Sequence, residues 1–253
     1  MMTAPFIFAL LGIAIATGTL TGFTGASGMS ILISGLLLAG VDIREIIALT
    51  FVVTFANGIS SSIPYGRKGL IDWRLALSIG LSASVSVYPG FLASESVSDS
   101  LLKWIILTGL LLAGLKLLAK PGVTQSETES EVKHSLWKEI LVGILFGLVI
   151  GMLGGGGGVF IAVALLMLFK TSAKSAIGTS IVIMTLAAVP GCLLHGWNNN
   201  INWAVAGIVI PVSISIAFLA ARAGRKIPEA WVKRGLGVYL VSIFFIMLAR
   251  ELF

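Results

Sequence analysis

Two glycine-rich tracts carry the most chemical capacity in this chain: Thr21-Gly-Phe-Thr-Gly-Ala-Ser-Gly28 and Ile150-Gly-Met-Leu-Gly-Gly-Gly-Gly157, the second continued by Gly158. Glycine leaves backbone N–H groups open to close approach. A helix that restarts after such a tract points its first N–H groups, and the positive end of its dipole, at the gap. In the first tract Thr24, Ser27 and Ser30 add hydroxyl donors around Gly25 and Gly28. In the second, Gly154, Gly155, Gly156, Gly157 and Gly158 offer N–H groups with no side chain in the way, as a backbone nest requires. A pocket of these parts is neutral, rich in donors and suited to a small anion. Glycines also serve helix packing, as the small pairs Gly18/Gly22 and Gly151/Gly155 would. A run of five exceeds that need, since each weakens a helix by about 1 kcal/mol. A nucleotide phosphate loop is disfavoured because no Lys-Ser/Thr follows either tract.

Four further residues join the candidate substrate-binding set. Asn57 stands in an otherwise apolar span, where an amide without a partner is costly; it either lines a pathway or bonds a neighbouring helix. Thr50 matches Thr179 across an internal repeat, with Ser180 beside the latter, although hydroxyls in membrane helices also bond the carbonyl four residues back. Ser78, Ser82 and Ser86 recur every four residues and form one helix stripe, fitting a polar lining or a close helix contact. Cys192 and His195 share a helical face, but a thiol–imidazole enzyme needs an acidic orienter and an oxyanion site that the sequence does not supply. No catalytic residue, metal site or cofactor is expected, because Cys192 is the single cysteine and the second histidine, His134, falls in a polar stretch.

The elements that position these residues follow from composition. Of 253 residues 57% are hydrophobic and only 11% charged, less than half the charge that covers a soluble domain. The charges fall in short clusters, at 42–45, 67–74, 95–103, 116–139, 170–174, 222–234 and 250–251. Between them lie uncharged stretches long enough for a helix to cross a hydrocarbon core of ~30 Å. The clusters read as loops, which leaves no ionisable proton carrier inside the membrane. The net charge of +6 does not point to nucleic acid, because the basic residues are dispersed without aromatic interleaving. The lipid bilayer and a small anionic substrate are the expected partners, and a homo-oligomer is compatible with this reading. Met1 to Gly40 has no basic start and runs on past the length of a signal peptide, so the first apolar segment is expected to be retained.

Sliding the chain on itself reveals a repeat. Gly22, Gly25 and Gly28 lie over Gly151, Gly154 and Gly157, and Thr50 over Thr179 in the same register. After a one-residue slip, Gly66 and Asp72-Trp73 lie over Gly196 and Asn202-Trp203. Each half is a long broken apolar segment followed by three spans: 5–40, 46–66, 75–94 and 101–119, then 136–170, 175–196, 203–222 and 231–249. The expected domains are a first membrane repeat at 1–119, a cytoplasmic linker at 120–135 and a second repeat at 136–253. If each broken segment turns back to its own side, fourteen of the 17 Lys and Arg share one face, leaving only Arg44, Lys103 and Arg250 opposite. If each crosses once, the bias disappears. The positive-inside rule selects the first arrangement. The fold class is therefore an all-α integral membrane protein of two inverted repeats, each a Gly-broken re-entrant hairpin, or two short helices, followed by three transmembrane helices. Both termini are expected outside a cell membrane that the chain crosses many times.

The tract Gly151-Met-Leu-Gly-Gly-Gly-Gly-Gly158, with its counterpart in the first segment of the other half, resembles the TauE/SafE family of sulfite exporters over essentially the full length. Two features depart from the family pattern: Ala26-Ser27 within the first tract, and Val163-Ala164 where a proline often stands. The resemblance implies a secondary transporter exporting sulfite, a sulfonate or a related sulfur oxyanion, bound between the two tips near the bilayer midplane. A passive anion channel and a membrane-embedded thiol/imidazole enzyme are the alternatives from other classes.

Overall fold

The computed structural model describes residues 4–25, 27–38, 40–93, 115, 135–153, 158–197, 201–224 and 226–228, with single positions between 231 and 245. The expected spans 101–119 and 231–249 and the linker 120–135 lie almost wholly outside the described residues. Within these residues the regular structure is helical: α1 (Ala4–Thr24), α2 (Met29–Leu38), α3 (Ile43–Gly66), α4 (Trp73–Ala93), α5 (Leu136–Leu153), α6 (Gly158–Leu168), α7 (Ala173–Trp197) and α8 (Trp203–Gly224). Among the described residues five of these, α1, α3, α4, α7 and α8, are long and apolar enough to cross a membrane. The chain is an all-α, multi-pass membrane protein.

The first long apolar segment breaks where its glycines are. Gly25 and Gly28 have φ of 70° and 63°, a left-handed conformation that costs a residue with a Cβ. In the second segment α5 ends at Leu153 and α6 begins at Gly158, on either side of its own glycines. The repeat-equivalent pairs Asp72-Trp73 and Asn202-Trp203 both become helix starts. Asp72 Oδ1 accepts from the Leu75 N–H at 3.1 Å and Asn202 Oδ1 from the Val205 N–H at 3.2 Å, so each caps its helix. Trp73 and Trp203 follow as the exposed first residues of α4 and α8. Pro190, inside α7, leaves the carbonyl four residues earlier without its helical donor, and the Ser84 hydroxyl of α4 donates to that Leu186 carbonyl instead.

Close contacts define the sense of each helix pair. Gly28 lies against Thr17 and Gly35 against Ile13, so α2 doubles back antiparallel to α1. Gly18 meets Ser213 and Gly22 meets Ala217, which makes α1 parallel to α8. The Glu45–Asn202, Ser60–Ile214 and Tyr65–Gly224 contacts make α3 parallel to α8. Contacts of Phe51 with Gly191, Gly58 with Thr185 and Tyr65 with Gly178 make α3 antiparallel to α7. Asp72 with Thr179 and Gly80 with Ile183 make α4 parallel to α7, and Gly143 with Ile79, Gly147 with Ala83 and Gly151 with Val87 make α5 parallel to α4. Thus α1, α3 and α8 point one way and α4, α5 and α7 the other.

Two interfaces repeat each other. Gly18 and Gly22 of α1 pack on Ser213 and Ala217 of α8, while Gly147 and Gly151 of α5 pack on Ala83 and Val87 of α4. Exchanging each residue for its repeat mate turns one interface into the other. These glycines let backbones approach where no side chain fits, as in lipid, where van der Waals contact drives helix association. The serine stripe belongs here too: Ser78 and Ser82 face α5, with Ser78 Oγ donating to Glu139 Oε2 at 2.6 Å and Ser82 abutting Gly143.

Glu139 corrects one expectation. It belongs to the charge cluster 116–139, read as a loop, and also to the start of the expected segment 136–170; it lies in the first turn of α5, fully buried, with Arg74 Nη2 3.4 Å from its Oε1. A carboxylate is tolerated there because a cation and a hydroxyl meet it and because the first turn of a helix favours negative charge.

Candidate functional site: the meeting of the two tips

The site is built from the ends of α1 and α6 against α7. The Gly25 N–H closes α1 on the Thr21 carbonyl at 3.0 Å, and the Gly28 carbonyl opens α2 by accepting from Ile31 and Leu32, both at 3.1 Å. The N–H groups of α2's first turn therefore point out of its end toward the tip. Gly158, the first residue of α6, lies directly on the Gly25 carbonyl, so the two broken segments touch backbone to backbone. A Cβ built on Gly158 would stand 2.8 Å from Met184 Sδ, and one built on Gly25 2.7 Å from Ser180 Oγ. Met184 is near the middle of α7, so the tips meet near the middle of the bundle.

The sequence-derived candidates divide clearly. Gly25, Gly158 and Ser180 come together. Ser180 is fully buried, and its hydroxyl donates to the Ile177 carbonyl of its own helix at 2.9 Å. Ser27 is buried in the turn beside Gly28. Thr24 ends α1 and donates to the Leu20 carbonyl at 2.7 Å. Thr50 is buried in α3 and donates to the Ile47 carbonyl at 2.7 Å. Its repeat mate Thr179 accepts from the Asp72 N–H at 3.0 Å, which ties α7 to the start of α4. Ser30 lies in the first turn of α2; its side chain, and all of Gly154, Gly155, Gly156 and Gly157, fall outside the described residues. Asn57 is fully buried, and among the described residues neither its Nδ2 nor its Oδ1 has a partner.

Asn57 is one of a set. The Thr17, Thr54 and Ser61 hydroxyls are likewise buried and without partners. Buried polar groups are ordinarily bonded, and leaving one unpaired costs about 1–3 kcal/mol. Thr54 and Ser61 were not among the sequence-derived candidates, although 50, 54, 57 and 61 recur at helical spacing on α3. At the far end of α7, His195 stacks on Phe51 with ring centroids 5.6 Å apart and meets Phe91 edge-on at 6.4 Å. No group of three His, Cys, Asp or Glu side chains able to hold a metal occurs among the described residues.

A bundle in which five helices among the described residues are long and apolar enough to cross a membrane, with a glycine-broken turn buried at Gly25 and Gly28, is that of a multi-pass membrane protein. The chain belongs to the sulfite exporter TauE/SafE family, whose sequence model matches residues 10–247. Among curated proteins it is 26% identical to "Probable membrane transporter protein YunE" of Bacillus subtilis, over 92% of this chain and 94% of that one. It is 26% identical to a protein of Methanocaldococcus jannaschii bearing the same transporter description, over 81% of this chain and 78% of the other. A third relative so described, from Xylella fastidiosa, is 27% identical over 81% of this chain and 80% of its own. No solved structure matches the chain.

Proposed function

We propose that this protein is a secondary transporter that carries a small anion, sulfite, a sulfonate or a related sulfur oxyanion, outward across the cell membrane, with the anion bound where the two tips meet. The observation that carries the reading is the contact of Gly158 with the Gly25 carbonyl, flanked by Ser180 and by unpartnered polar groups. Family membership supports the substrate class. The binding set proposed is Thr24, Gly25, Ser27, Gly28, Ser30, Thr50, Asn57, Gly154–Gly158, Thr179 and Ser180. Among these Gly25, Gly158 and Ser180 have the strongest support, because they touch.

The chain is read as two inverted repeats, 1–119 and 136–253, joined by a cytoplasmic linker at 120–135. Three observations support inversion: the opposed senses of α1 and α5, of α3 and α7, and of α4 and α8; the doubling back of α2 on α1; and the reciprocal glycine interfaces. Arg67 and Trp197, the residues just past the repeat-equivalent Gly66 and Gly196, then emerge on opposite faces. In a Cys192→Ser background, Arg67→Cys should react with an impermeant thiol reagent from the cytoplasmic side only and Trp197→Cys from the outside only. Reaction of both from one side contradicts inversion.

The driving force follows from charge. The side chains at the tips are uncharged, so bound substrate moves with its own negative charge. A potential negative inside favours its exit by about 2.3 kcal/mol per elementary charge per 100 mV. The test is efflux of sulfite from proteoliposomes: it should rise as the lumen is made more negative, without an imposed proton gradient. Efflux that ignores the potential and follows only a pH gradient contradicts this mechanism.

A further inference from the structure

Of the buried polar groups without hydrogen-bond partners among the described residues, Glu139 Oε1, Thr171 Oγ1 and His195 Nδ1 lie apart, while Thr54, Asn57 and Ser61 share α3 and Thr17 faces Gly28. On α3 the residues that meet α7 are Phe51, Gly58 and Tyr65, and those packed with the α1–α2 hairpin and α8 are Ile46, Leu49, Val53 and Ser60. Thr54, Asn57 and Ser61 fall between these two lines at 100° per residue, so they face the seam between α7 and the α1–α2–α8 group. The lipid-facing side, marked by Ile59 and Ile63, is on the opposite flank. The antiparallel contacts of α3 with α7 put Ser61 level with Val182 and Asn57 level with Leu186. Met184, which touches Gly158, lies between those two levels, and Thr17 meets this region from α1 through its contact with Gly28. The stripe and the tips therefore share one depth.

Asn57 differs in kind from the helix ends there, and like the neighbouring Thr54 and Ser61 hydroxyls it can accept as well as donate. Helix-end N–H groups only donate, which suits any oxyanion. A carboxamide with both ends unpartnered offers an acceptor as well as a donor, and an acceptor demands a proton from its ligand. No charged side chain supplies that proton among the tip and stripe residues named above.

We propose that Asn57, with Ser61 and Thr54 beside it, is the specificity-determining element of the anion site, and that it selects a singly protonated oxyanion, HO–SO2⁻ in the case of sulfite. The N–H groups of the tips hold the bare oxygens, while Asn57 Oδ1 accepts from the ligand's O–H. This rests on the anion-transport reading above. It adds that the site discriminates by protonation state and not by charge alone.

Hydrogensulfite and methanesulfinate, CH3–SO2⁻, make the probe pair, because they share charge and pyramidal shape and differ by a hydroxyl against a methyl. Binding of each to the purified full-length protein is measured at a mildly acidic pH at which sulfite carries one proton. A site built to bond a ligand hydroxyl rejects the analogue lacking it, so the wild type should prefer hydrogensulfite by about ten- to a hundredfold. Asn57→Leu should bring the ratio close to one by weakening hydrogensulfite alone, and Ser61→Ala should lower the ratio less, in the same direction. Since leucine removes an unpartnered buried amide, the Asn57→Leu protein should be at least as heat-stable as the wild type, which separates selection from folding. An unchanged ratio in both variants, or equal loss for both anions, overturns the assignment and leaves anion transport standing. Failure of the wild type to bind either anion overturns both.

Discussion

Gly158→Val should reduce anion flux in proteoliposomes to the level of protein-free vesicles. The added Cβ would enter the Gly25 carbonyl and come within 2.8 Å of Met184 Sδ. The carbonyl cannot yield, because the Gly25 N–H is committed to Thr21 and its φ of 70° is set by the turn. The end of α6 must therefore move away from the end of α1, and the N–H groups on the two sides lose their common target. Binding a small ion between preset dipoles depends on their spacing, so displacement costs function more than stability. Gly158→Ala should show the same defect, since the clash begins at Cβ. Normal flux in either variant would return this glycine to a packing role.

Gly151→Val should produce the largest loss of stability. A Cβ there meets the Val87 carbonyl and approaches the Phe91 nitrogen to 2.8 Å, toward the C-terminal ends of the packed α4 and α5. Backbone cannot rotate aside as a side chain can, so the helices must separate, at a cost of about 3 kcal/mol or more. Gly22→Val, its repeat mate on α1, should be similarly damaging against Ala217 and Ala221 of α8. Gly12→Ala and Gly207→Ala are the contrast. A Cβ at either finds nothing within 4 Å, so the substitution should be neutral or stabilise by up to about 1 kcal/mol through helix propensity. Thermal unfolding of the four variants in one detergent is the measurement. Equal effects at all four positions would mean that the two interfaces do not hold the bundle together.

These contrasts mark what the sequence can carry. The break at the first glycine tract, the match of Asp72-Trp73 with Asn202-Trp203 and the apolar length of the spans depend on local chemistry and were legible, whereas the capping roles of Asp72 and Asn202 emerged only with the structure. The repeat was legible too. The meeting of Gly25 with Gly158 was expected only as an approach of two tips, because backbone contact across repeats leaves no mark on either residue. Glu139 was misread for a physical reason: charge clustering marks loops only when charges face water, and here Arg74 and Ser78 cover the carboxylate from a neighbouring helix. Thr50 donates to the carbonyl of Ile47 in its own helix, and its repeat mate Thr179 accepts from the Asp72 backbone N–H, a tie between helices that the sequence match does not reveal. Thr54 and Ser61 went unnoticed because an isolated hydroxyl in an apolar helix ordinarily bonds its own backbone, and only the tertiary structure shows that these do not.

Counterflow tests the account most directly, because it requires a site that one substrate molecule vacates before another uses it. Proteoliposomes loaded with unlabelled sulfite are diluted into a trace of labelled sulfite, with no potential and no proton gradient. The account predicts a transient accumulation of label above equilibrium, saturable in the internal sulfite and absent in Gly158→Val. Label that only equilibrates, at a rate proportional to concentration and matched by protein-free vesicles or by Gly158→Val, would contradict a binding site at the tips.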